Sequence, residues 1–119
     1  MRKRILVVER DEDIIRLIGY ILEEEGYLVS LSRTEEGILD WVIKEQPDAI
    51  LLDIIKPTVE GTALCNAIKS VKSIKHIPVI VLSTYSQIKS VNIECADDII
   101  NKPFDISELI NVIEDHLVI

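Results

Sequence analysis

Five short apolar runs, separated by segments of helical period, recur along this chain, and no other feature restricts its fold as much. Ile5-Leu6-Val7-Val8 is continuous and rich in β-branched residues, the pattern of a strand buried on both faces. Residues 49–53 and 78–83 repeat that pattern, residues 28–32 read as a second, shorter strand, and Ile99-Ile100 marks a brief fifth run. The intervening segments read as helices. Asp11 is placed to cap a helix whose Ile14, Ile18, Ile21 and Leu22 share one face, with Gly26 just past its end. Thr34 is placed as the N-cap of a second helix carrying Ile38, Trp41 and Val42, stopped by Pro47. A third is predicted over residues 62–73 with Leu64 and Ile68 inward, and a short fourth between residues 84 and 94. A closing amphipathic helix over 106–117 turns Leu109, Ile110 and Ile113 inward. Alternation of this kind requires right-handed crossovers, hence a parallel sheet covered by helices on both faces. The expected fold is one three-layer, doubly wound α/β domain of the (βα)5 kind over residues 1–119.

Composition excludes several functions. The 13 basic and 21 acidic residues leave a formal charge of −8, with 4% aromatic residues. A surface for nucleic acid needs clustered Lys and Arg or stacking aromatics, so no direct nucleic-acid binding is expected. The acidic surplus fits solubility, basic partners or cation binding. Met1-Arg2-Lys3-Arg4 resembles the start of a signal peptide, but its apolar continuation stops at Glu9, and no run approaches the ~18 apolar residues of a membrane span. A cytoplasmic, membrane-independent protein is expected. Cys65 and Cys95 each sit among small apolar residues and read as buried hydrophobes rather than a disulfide or metal pair. Lys69, Lys72 and Lys75 around His76 read as a solvated basic patch, Glu23-Glu24-Glu25 as a solvated helix end, and neither His76 nor His116 as a ligand or catalytic base.

In sheets of this type, ligands bind beyond the carboxyl ends of the strands. Those ends carry Glu9-Arg10-Asp11, Asp53, Ser83-Thr84 and Asn101-Lys102-Pro103-Phe104. Carboxylates, a hydroxyl and a lysine gathered on one edge suit a hard cation and a phosphoryl group. Across Leu51-Leu52-Asp53-Ile54-Ile55-Lys56-Pro57-Thr58-Val59-Glu60-Gly61, residues 78–83, Ala96-Asp97-Asp98 and Asn101-Lys102-Pro103-Phe104, the chain resembles the receiver domain of two-component response regulators. The resemblance implies a flavodoxin-like strand order 2-1-3-4-5. It implies that Asp53 accepts a phosphoryl group from a sensor histidine kinase or phosphotransfer protein. Lys102 would pair with that carboxylate, after a cis bond to Pro103, and Ser83 would bind the phosphoryl oxygens. Mg²⁺ would be held by Glu9, Asp53 and the backbone carbonyl of Ile55.

Three departures bear on that assignment. The family's first strand normally ends in two adjacent acids, but here the second is Arg10. Glu9, Arg10, Asp53 and Lys102 sum to no net charge, so Mg²⁺ binding is expected to be weak or absent. Either the Arg10 guanidinium occupies the cation position and pairs with Asp53 or Glu9, or it swings outward while Asp11 or water serves as ligand. Secondly, Ile99 stands where receivers usually place a switching aromatic. Thirdly, Ser83 and Lys102 are closer in sequence than the family usually has them, which shortens the fourth helix by about one turn of ~3.6 residues. Tyr85, Ile88 and Val91 there are core contacts or an exposed patch for a partner, and a homodimer through that surface stays open.

The expected function is therefore a phosphorelay receiver, not an enzyme, with output through contacts to a downstream protein effector. The alternative is a pseudo-receiver that works without phosphorylation or Mg²⁺ because of Arg10. A phosphatase of this architecture would need a second carboxylate two residues after Asp53, where Ile55 stands, and a nucleotide-binding module would need a Gly-rich first turn.

Overall fold

Every expected strand forms in the computed structural model, which describes residues 2–117. The strands are β1 (Arg4–Val8), β2 (Leu28–Ser32), β3 (Ala49–Asp53), β4 (Val79–Ser83) and β5 (Asp98–Asn101). They pair in parallel in the order β2-β1-β3-β4-β5. Around them lie four α-helices: α1 (Glu12–Glu24), α2 (Ile38–Glu45), α3 (Ala63–Ser70) and α4 (Ile106–Leu117). This is the flavodoxin-like α/β architecture, with the apolar central strands buried along their whole length.

The sheet separates two cores. On one face Leu6, Ile50, Leu52 and Val81 pack with Val42 of α2 and Cys65 and Ile68 of α3. On the other, Ile5, Val7, Leu51 and Leu82 pack with Ile18 and Leu22 of α1 and Leu109 and Ile113 of α4. Alternate residues of each strand serve opposite layers, which is why the strand sequences are apolar without a break.

The first helix forms as the sequence indicates. The Asp11 carboxylate accepts from the Ile14 amide, and Gly26 follows the helix at φ 93°. The second starts later than expected. Thr34 is not its cap: Ser32 Oγ donates to the Thr34 carbonyl and accepts from its amide, holding that segment in a turn, and the helix begins after Gly37 at φ 74°. The third ends at Ser70, because Val71 adopts an extended conformation and a succession of turns leads to Ile77. In place of a fourth helix there is one 3-10 turn, Ile88–Ser90. Ile88 is fully buried and Tyr85 packs against the core, while Val91 faces solvent.

Two side-chain expectations are overturned. Cys65 and Cys95 are buried hydrophobic positions, but they also form a disulfide, joining α3 to the connection before β5 across a Cα–Cα distance of 5.7 Å. Lys69 is not part of a solvated patch. Its ammonium donates to the Ile77 carbonyl at 2.7 Å and to Asp97 Oδ2 at 2.6 Å, and Asp97 also accepts from the Val79 amide.

Candidate functional site

Because all five strands run the same way, their carboxyl ends meet at one edge. Asp53 is the last residue of β3 and Ser83 the last of β4, while Glu9 follows β1 and Lys102 follows β5. Backbone bonds hold these ends in register. The Glu9 amide donates to the Ser32 carbonyl, that of Ile54 to Leu82, and that of Lys102 to Ser83 at 2.7 Å. The Lys102–Pro103 peptide is cis, as the resemblance implies.

Lys102 joins the two acids. Its Nζ donates to Glu9 Oε1 at 2.6 Å and to Asp53 Oδ1 at 3.1 Å. All three side chains are almost wholly buried, and an ammonium in that setting is tolerated because two carboxylates share it. The remaining oxygens are also engaged. Glu9 Oε2 accepts from the Asp11 amide at 3.1 Å, and Asp53 Oδ2 accepts from Arg10 Nε at 2.9 Å. Of the two alternatives for Arg10, the structure contains the ion pair with Asp53. Asp11 is occupied in capping α1. Arg10 stays half exposed, with its own carbonyl held by Arg33 Nε at 3.1 Å.

Burial pushes the Asp53 carboxyl up, but Arg10 and Lys102 outweigh it, and its pKa lies below the ordinary aspartate value. Asp53 is therefore an anion at neutral pH, as a nucleophile must be. Beside it lies a cavity of about 350 Å³ whose walls include Arg10, Arg33, Glu35, Ile55, Lys56 and Thr58. Burial holds the Glu35 carboxyl above its ordinary pKa, with Asp53 adding to the effect against Arg10. The Ser83 hydroxyl accepts from the Tyr85 amide at 3.1 Å, so it is turned toward its own chain rather than the acid. Ile99 packs against the core on the α2 and α3 side.

Arg33 and Glu35 were not among the sequence candidates, although the signal was present. They follow β2, and the rule that sites gather at strand ends applies to β2 as to the others.

These residues do not fit a divalent cation. Both acids are already compensated by Lys102 and Arg10, and each carboxylate oxygen of Glu9 and Asp53 has a donor. Among the described residues, no group of three or more His, Cys, Asp or Glu is arranged to hold an ion.

An apolar parallel sheet with a buried acid, lysine and hydroxyl at its edge invites comparison with known proteins. The profile of the response regulator receiver domain matches residues 5–114. The chain belongs to the response-regulator receiver family. It is 34% identical over 112 residues to the alkaline phosphatase synthesis transcriptional regulatory protein PhoP of Bacillus subtilis, covering 92% of this chain. It spans about half of that relative's length, 46%. Among solved structures, the receiver domain of a signal transduction histidine kinase from Syntrophus aciditrophicus superposes with TM-score 0.83 at 32% identity, covering 97% of this chain and 89% of that one. The response regulator TrrA of Thermotoga maritima, solved in complex with Mg²⁺–BeF, superposes with TM-score 0.84 at 31% identity, covering 97% and 99%.

Receiver domains are the phosphoryl-accepting modules of two-component systems, and they work with histidine kinases and downstream effectors. They commonly bind Mg²⁺ and in general do not turn over substrates. The similarity favours this phosphoryl-accepting function over a pseudo-receiver.

Proposed function

We infer that Asp53 is the phosphoacceptor of this receiver and that Arg10 takes the place of the divalent cation. A carboxylate oxygen of Asp53 attacks the phosphorus of a phosphohistidine on a sensor kinase or phosphotransfer protein. The P–N bond breaks, its electron pair stays on the imidazole nitrogen, and an acyl phosphate forms on Asp53. Such a displacement is driven by positioning and by neutralisation of the phosphoryl oxygens. Lys102 supplies one positive charge from the buried side. Arg10 leaves Asp53 Oδ2 and turns its guanidinium onto the phosphoryl group, for which its several donors suit it. Ser83 exchanges the Tyr85 amide for a phosphoryl oxygen. Mg²⁺ then binds weakly, and Glu9 orients Lys102 rather than serving as a metal ligand.

The observation that carries this reading is the ionised Asp53 carboxylate held between Lys102 and Arg10 beside an open cavity. Residues 1–119 act as the receiver domain, on the cytoplasmic side, with output through contacts to a protein effector. No described helix is long and apolar enough to cross a membrane. The test is incubation with acetyl phosphate, with and without Mg²⁺, followed by intact mass. One phosphoryl adduct is expected in both conditions and none in Asp53→Asn. An adduct that requires millimolar Mg²⁺ would overturn the role of Arg10, and no adduct in any condition would overturn the assignment of Asp53.

A further inference from the structure

The disulfide lies at a place where the fold is otherwise thinly held. Between β4 and β5 the chain makes one 3-10 turn, and most of its side chains, among them Thr84, Ser86, Gln87, Lys89, Asn92 and Glu94, face solvent. Ile88 and Ile93 anchor it in the core. Its first end is tied to the site, since the Tyr85 amide donates to Ser83 Oγ and the Tyr85 carbonyl accepts from Asn101 Nδ2. Its last end carries Cys95, bonded to Cys65 in the first turn of α3, 30 residues away in sequence.

We propose that Cys65–Cys95 is a thiol–disulfide exchange site whose state sets the mobility of the 84–97 segment. The proposal rests on the cytoplasmic receiver reading, because in a reducing compartment a disulfide is in exchange with dithiols rather than permanent. The two cysteines differ in their surroundings. Both are buried, but a groove of about 330 Å³ between the loop Pro57–Thr62 and the stretch 91–95 has Cys95, 5% exposed, in its wall, whereas Cys65, 0% exposed, does not line it. A thiolate of a dithiol reductant entering the groove therefore attacks Cys95 Sγ. The S–S bond breaks, Cys65 Sγ leaves with the electron pair, and a mixed disulfide remains on Cys95. The reductant's second thiolate displaces Cys95, so that two electrons and two protons have passed to the pair and the reductant is left as its own disulfide. In the reverse direction, glutathione disulfide is the oxidant. The Cys95 thiolate displaces one glutathione, and the Cys65 thiolate then displaces the second from Cys95.

Opening the bond releases the last part of the segment from α3, while Ile88 and Ile93 still anchor it in the core.

The test uses the full chain, oxidised with glutathione disulfide and then treated with dithiothreitol under native conditions. Intact mass after iodoacetamide should show no labelling of the oxidised form and two labels after reduction. A time course should show Cys95 labelled before Cys65. Hydrogen exchange within residues 86–96 should be faster in the reduced form on the order of tenfold, while β1 and β3 are unchanged. Cys65→Ser with Cys95→Ser should exchange at the fast rate in both conditions, and the comparison of the two wild-type forms stands without that variant. Three results would overturn the proposal: thiols that remain free in glutathione disulfide, a bond that opens only in denaturant, or reduction that leaves exchange in the segment unchanged. None of these readouts involves phosphorylation, so a failure of Asp53 to accept a phosphoryl group is seen separately.

Discussion

At the residue scale, Arg10 decides the electrostatics of the pocket. Asp53, Ser83 and Lys102 were legible in the sequence because each ends or follows an apolar run, where the parallel sheet must expose its chemistry. The pairing of Arg10 was legible as a charge count. Its choice of Asp53 over Glu9 was not, since that depends on Glu9 being occupied by Lys102 and the Asp11 amide. Arg10→Asp replaces a cation by an acid beside Glu9 and Asp53, and Mg²⁺ should then bind at least ~10-fold more tightly, read by amide shifts around Asp53 during titration. Unchanged affinity would mean that Arg10 does not control the site. Asp53 also leaves a mark on acid stability. Its folded pKa lies below the ordinary value, so its ion pairs stabilise the fold above the unfolded aspartate pKa of ~3.9, and that contribution is lost as pH falls through the folded value. Asp53→Asn should cost about 1–3 kcal/mol at pH 7, and the gap to wild type in urea midpoint should close progressively below about pH 4.

At the scale of elements, the sequence was most informative where local and tertiary preferences agree. Residues 49–53 and 106–117 form the predicted elements with the predicted ends, because strand or helix periodicity and burial point the same way, and residues 28–32 do so as an edge strand with Leu28 and Leu31 exposed. It was least informative between β4 and β5, where Ile88 and Ile93 are spaced to reach the core without a continuous helical stripe. The disulfide escaped notice for a similar reason, since pairing across 30 residues depends on how α3 lies against the next connection. Lys69 looked like surface because its acceptors at Ile77 and Asp97 come from later segments. Lys69→Met should therefore destabilise the fold by about 1–3 kcal/mol by leaving those acceptors without their donor, measured by urea denaturation. A neutral substitution would return Lys69 to the solvated patch. The β3–α3 loop has its own constraint. A Cβ at Gly61 would run into the Lys56 carbonyl oxygen, so Gly61→Ala must move the loop that lines the Asp53 cavity. It should lose about 1–3 kcal/mol and slow phosphorylation by acetyl phosphate.

For the whole molecule, the sheet works as a partition. Strand residues alternate between the core under α1 and α4 and the core under α2 and α3, and a side chain in one layer has the sheet between it and the other. The parallel sheet could be read from the alternation of elements, whereas the order β2-β1-β3-β4-β5, and with it the meeting of four strand ends, was legible only through the family resemblance, since doubly wound sheets of other orders alternate in the same way. The net charge of −8 plays little part in the site, whose four central groups cancel. A partitioned core has a measurable consequence. Ile18 of α1 and Ile68 of α3 are both fully buried, one in each layer. Ile18→Val and Ile68→Val should each cost about 0.5–1.5 kcal/mol for the lost methylene and the space left behind. In the double variant the losses should add to within about 0.5 kcal/mol, since neither residue shares a packing partner with the other. Denaturant midpoints of the four proteins give the cycle, and a coupling well above that margin would mean that packing strain crosses the sheet. In that case a change on the α3 side, where Cys65 sits, would be felt directly on the α1 and α4 side. If the losses add, signals between the two layers must travel along the strand ends, where Asp53, Ser83 and Lys102 meet.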